Sequence, residues 1–231
     1  MATAADNHVH LQMQQRVTVP RWRRWLVVAM TTCAVALIAS AFFFPWWHFT
    51  LYAPQYPHGL NMTISLTGVT GDVGEIDELN HYIGMAKIEG VAPVERHFAS
   101  YGVAALGAVL VVMTLAMGKR SGWLNIAPAL AFPIVFMGDT YYWLHLTGHA
   151  LDKHAAIRLA PFTPEMFGNG QIGQFLTFAA PSIGFWIACA GAALVVGATV
   201  IRQRSVCARC SQRGTCGALC KNAFLGKEHP T

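Results

Sequence analysis

Histidine, methionine and cysteine carry the chemistry that this chain of 231 residues could perform, and they are segregated along it. Seven of the ten histidines (His48, His58, His81, His97, His145, His149 and His154) lie in or at the edge of two stretches, 48–100 and 147–182. Met62, Met85 and Met166 lie there too, and neither stretch contains a cysteine. Imidazole and thioether together suit copper, the thioether selecting Cu(I), and neither forms disulfides in an oxidising compartment. His81 and Met85, within LNHYIGM, are spaced i, i+4 and would share a face if that segment were helical. Gly84 weakens that assumption, and the plainer alternative is a hydrogen-bonded loop histidine beside a packed methionine. Tyr142, His145 and His149 form a stripe, three and then four residues apart, and His145 with His149 has the spacing of a helical metal pair. Asp139, one turn earlier, is an acid in an apolar run, which marks either a functional site or a hydrogen-bonded structural residue.

The cysteines form a second, separate set. Cys207, Cys210, Cys216 and Cys220 are spaced C-x2-C-x5-C-x3-C near the C-terminal end, with Arg209, Arg213 and Lys221 available to offset thiolate charge. Four thiols so close together on a reducing side point to a tetrahedral zinc site. An iron–sulfur cluster, a Cu(I)–thiolate site or no metal at all remain open. Cys33 and Cys189 sit inside apolar runs and are expected simply to pack.

Positioning these groups falls to a very apolar chain. It is 54% hydrophobic and 12% charged, about half the ~25% charged share of a soluble domain, which excludes a disordered, collagen-like or disulfide-scaffold protein. Four runs approach the ~20 apolar residues that a bilayer requires: about 25–47, 101–117, 123–146 and 183–201. The expected fold is therefore an all-α membrane protein with four transmembrane helices over 25–201, flanked by an arm over 1–24 and a Cys-rich tail over 202–231. Ala104, Gly107 and Ala108 would let the second helix approach its neighbours closely, and Pro128 and Pro133 would kink the third. Twelve of the sixteen Lys and Arg fall on the side of the two termini, which places both termini in the cytoplasm, N-in/C-in, and makes 48–100 and 147–182 structured exported loops. The formal charge of +5 is then a topology signal, and no nucleic-acid partner is expected. The run Ala39-Ser40-Ala41 also permits a cleavable leader, although the apolar FFFPWW that follows favours an uncleaved anchor. In the first loop, NMTISLTG alternates as a short strand would, and six acids against two basic residues read as a solvated acidic cap.

Two segments carry a resemblance when taken together: YAPQYPHGLNMTIS followed by LNHYIGM, and HALDKHAAIRLAPFTPEMFGNGQIGQF followed by PSIG. Over about residues 40–200 the chain resembles a family of bacterial four-helix membrane proteins that occur with the maturation machinery of nitrous oxide reductase and related periplasmic copper enzymes. The match rests on Tyr52, Pro54, Tyr56, Pro57, Gly59, Asn80, His81, Tyr82, Gly84, Met85, Asp152, His154, Ala155 and Ile157. It departs from the family at Lys153, where proline is usual, and in its Cys-rich tail. The resemblance implies an accessory role in copper delivery or enzyme maturation, with no reaction of its own, and favours His81 and Met85, then His154, as ligands.

The leading expectation is thus a non-enzymatic, copper-handling accessory protein whose partners are the lipid bilayer and a membrane or periplasmic copper enzyme. A second is a subunit of a redox metalloenzyme, its tail cluster passing electrons while Asp139, Tyr142 and His145 relay protons. A third is a purely structural assembly subunit. No nucleophile elbow, phosphate loop or zincin motif suggests a hydrolase.

Overall fold

The structure, a computed structural model, describes residues 21–116 and 122–212. The chain starts with helix α1 (Arg21–Ala41), then strands β1 (Trp47–Ala53), β2 (Tyr56–Ser65) and β3 (Gly68–Gly71) and the short helix α2 (Val73–Ile83). Helix α3 (Pro93–Ala116) and helix α4 (Ile126–His149) follow, then β4 (Gly168–Ile172), β5 (Phe175–Pro181) and helix α5 (Ile183–Gln212). The five strands form one antiparallel sheet in the order β3-β2-β1-β5-β4.

The expected all-α, four-span architecture is incorrect. A five-stranded sheet stands where two exported loops were expected, and two helical stretches, Pro93–Met113 in α3 and Ile183–Gln203 in α5, are long and apolar enough to cross a membrane. The first error lies in FFFPWW. These residues extend the apolar run beyond α1, but the helix ends at Ala41, and the apolar part of it, Trp25–Ala41, is short. Pro45 cannot supply a helical N–H, and Trp46 and Trp47 are fully buried in protein. Their indole N–H groups donate to the carbonyls of Ala41 (2.8 Å) and Met166 (3.0 Å). Truncating either ring to alanine would cost ~3–5 kcal/mol. The second error lies in α4, whose aromatic, polar C-terminal half packs beside the sheet: Phe136 and Leu144 join its core.

Alternation builds that core. Trp47, Phe49, Leu51 and Ala53 of β1 are buried, as are Leu60 and Met62 of β2 and Phe175 and Ala179 of β5. The alternation at NMTIS is the second half of β2, paired with β1 through Asn61↔Thr50 and Thr63↔His48. Against this face lies α2, whose buried Ile76, Leu79, Asn80 and Ile83 recur with helical spacing. Below the sheet, α1 and α5 pack along their length, whereas α3 and α4 touch only sparingly. The close approach expected at Ala104, Gly107 and Ala108 is absent there: Ala104 and Ala108 are exposed, and a Cβ on Gly107 would meet only Val35, at 3.9 Å. It occurs instead on α5, where a Cβ on Gly191 would lie 2.8 Å from Ile38 and 3.2 Å from the Ala34 carbonyl oxygen. Outward, the bundle shows large apolar side chains, among them Val112, Ile134, Val135 and Trp186.

Candidate functional site

The two segments that carried the family resemblance dock against each other. Helix α2 ends in a Schellman turn: Gly84 adopts φ +79°, its N–H reaches the His81 carbonyl, and the Met85 N–H reaches Asn80 (2.9 Å). Onto this turn the chain after α4 lays residues 152–157, with Asp152 N–H donating to Gly84 O (2.8 Å) and Ile157 N–H to Tyr82 O (2.9 Å). Gly84 is required twice. Its φ is left-handed, and a Cβ would lie 2.9 Å from the Ala155 Cβ and from the Asp152 backbone. The same strap is pinned again where Phe162 N–H donates to Gly148 O, and where Met166 accepts from Trp47.

The Schellman turn also separates His81 from Met85. His81 stays exposed on the last turn of α2, while the chain reverses at Gly84 and Met85 packs inward against the sheet core. The shared helical face that the i, i+4 spacing suggested does not form, because α2 stops before Met85. His154 is exposed on the docked strap, its backbone N–H held by the Asp152 carboxylate (2.9 Å). The docking therefore brings the segments of His81 and His154 together, but not Met85.

His145 and His149, in the last turns of α4, are brought together directly. Their rings are 3.9 Å apart, centroid to centroid, and tilted by 34°. His149 Nδ1 bonds the His145 carbonyl (2.9 Å), and His145 Nδ1 meets Thr163 Oγ1 on the strap (2.9 Å). A carbonyl can only accept, so Nδ1 of His149 carries the proton, and in the neutral ring Nε2 is a lone pair. Metal-binding histidines are commonly held this way, the second nitrogen tied to a carbonyl or another polar group. Both rings are exposed, so ligand access is open. Among the described residues no cluster of three or more His, Cys, Asp or Glu is placed to hold a metal, so this pair has no third protein ligand of those types.

Tyr142 does not join the pair: it is exposed and makes an edge contact with Trp143. Tyr141 stacks on His145 instead, at 6.1 Å and 19°. The i, i+4 rule that paired the histidines would have found Tyr141 as well. Thr163 had no sequence signal, since it comes from the strap, eighteen residues later in the chain. Asp139 lines a cavity between the sheet, α2, α3 and α4, together with Glu95, Arg96 and Trp143. Glu95 acts on it electrostatically, and the Trp143 indole lies near it, one helical turn on, without reaching hydrogen-bonding geometry. Thus Asp139 faces the cavity, apart from the histidine pair.

The tail cluster is only partly within view. Helix α5 runs to Gln212 and so includes the backbone of Cys207 and Cys210, while Cys216 and Cys220 lie outside the described residues. Cys33 and Cys189 are free thiols on α1 and α5. No family model matches the chain, and no curated protein matches it in sequence.

Proposed function

We propose that the protein is a membrane-held accessory protein that takes up Cu(I) on its sheet side and yields it to a periplasmic copper enzyme. The observation that carries this reading is the close, tilted pair His145 and His149, each with Nδ1 engaged and each exposed. Two imidazoles with open coordination positions suit a transient carrier, because a partner's ligands can enter before the carrier's leave. The membrane reading is supported by the two long apolar stretches in α3 and α5 and by the apolar side chains that ring the bundle. In the sequence, most basic residues precede or open α1, fall between α3 and α4, or lie in or beyond the last turns of α5, and by the positive-inside rule that side would face the cytoplasm of a bacterial cell and the sheet the exported side. The resemblance of the docked segments to a copper-enzyme maturation family points the same way. His81 and His154, on the docked segments, are second candidates for ligands on this surface; zinc or an iron–sulfur cluster at the tail cysteines is a separate proposal.

Competition of the purified protein against a Cu(I) chelator tests this. His145→Ala and His149→Ala should each weaken Cu(I) binding at least tenfold, while Met85→Leu, a packing residue, leaves it within twofold. Unchanged affinity in the double His145→Ala, His149→Ala variant would overturn the site.

A further inference from the structure

Between the sheet, α2 and the splayed α3 and α4 lies a cavity of about 400 Å³. That is in the ~300–1,000 Å³ range of small-molecule sites, and far larger than the voids close-packed interiors leave. Its walls are apolar, with Phe49, Met62, Leu79, Ile83, Val103 and Phe136 among them. An apolar space of this kind holds water poorly, and its lining atoms lack contact partners until something fills it. One part of the wall is polar. Asp139 and Glu95 line it, and so does Trp143, whose buried indole N–H has no hydrogen-bond partner. Arg96 is there as well, with its Nη2 donating to the Ile88 carbonyl (3.0 Å).

We propose that this cavity binds a neutral lipid: a long apolar chain ending in a hydroxyl or carbonyl group. The chain fills the apolar walls, and the oxygen accepts the Trp143 indole N–H. A hydroxyl can at the same time donate to Asp139. Two carboxylates beside one engaged guanidinium disfavour an anionic head such as a fatty-acid carboxylate. The mouth lies between α3 and α4, where Gly102 and Val135 line the cavity yet remain exposed. Gly102 falls within Pro93–Met113, the stretch of α3 long enough to cross a membrane, so the ligand enters sideways from the bilayer. Only this route depends on the membrane reading; the site itself is independent of it and of copper.

The test is photolabelling of the full chain in phosphatidylcholine vesicles with a twelve-carbon diazirine alcohol, set against the carboxylic acid of the same length. The alcohol should label cavity residues at least fivefold more than the acid. Gly102→Leu, whose Cβ has room at the backbone so that the rest of the side chain can narrow the mouth, and Trp143→Phe should each cut cavity labelling at least threefold. Labelling of the outer residues Ile134 and Trp186 should stay unchanged. Unlabelled monoacylglycerol and an unlabelled alkyl benzoquinone, as competitors, distinguish the two sources of this chemistry, an acyl lipid and a prenyl-type quinone. Equal labelling by alcohol and acid, no competition by either, or variants indistinguishable from the parent would overturn the site. Cavity labelling without any labelling of Ile134 and Trp186 would keep the site and reject sideways passage from the bilayer.

Discussion

The two halves of the helical bundle are similarly apolar and behave in opposite ways. On one side α1 and α5 pack along their length, with Ala34, Ala188 and Ala192 almost wholly buried and Gly191 admitting Ile38. On the other, α3 and α4 hardly meet, and their upper halves stand apart around the cavity. Small residues occur on both sides, so their presence alone does not close a helix pair. What decides is whether a bulky side chain opposite finds the gap that a small one leaves: Ile38 of α1 enters at Gly191 of α5, whereas at Gly107 of α3 a Cβ would meet only Val35 of α1 and nothing of α4 within 4 Å. The closed half is filled by side chains, and the open half surrounds a cavity.

Breaking the closed half should have the largest effect. Gly191→Leu forces a side chain into Ile38 and the Ala34 carbonyl and should cost about 3 kcal/mol or more, seen as a lowered midpoint of thermal unfolding. Next comes the latch above the open half. Gly84→Ala places a Cβ at φ +79° against Asp152 and Ala155 and should cost about 2 kcal/mol. It should also release the docked strap, which trypsin would report as faster cleavage at the exposed Lys153 and Arg158. The smallest effect belongs to Gly107→Ala, with room for its Cβ and a better helix former in place: stability should rise by about 0.5–1 kcal/mol. A Gly107→Ala loss as large as that of Gly191→Leu would mean that the two halves are not different after all.

Both the legible and the illegible parts of the fold come down to what hydropathy measures. Apolar runs located α1, α3, α4 and α5, with ends misplaced by up to eleven residues, because a helix of that length needs such a run whether it meets lipid or protein. Hydropathy could not say which of the two it meets. Trp46 and Trp47 read as the end of a span, yet they are the largest fully buried side chains of the sheet layer and its junction with α1. The five strands were mostly missed because β1 to β3 and β4 to β5 come from segments nearly a hundred residues apart. β1 acquires its second neighbour only through pairs such as His48↔Ala180 and Thr50↔Phe178. The candidate site divides in the same way. His145 with His149 was legible from spacing, because both stand on one uninterrupted helix. His81 with Met85 had the same spacing but lost it at the left-handed Gly84.

The sequence by itself determined where the long helices run, that one end of the chain's apolar segments is basic, and that His145 and His149 share a face. These are local properties, set by the residues within a few turns. Only the tertiary structure decided that strands within 47–71 and 168–181 join in one sheet, that LNHYIGM and the Asp152–Ile157 strap latch together, and that α3 and α4 part around a cavity. Each of these depends on which distant surfaces find complementary shapes and hydrogen-bond partners, and no local pattern in the chain encodes that pairing.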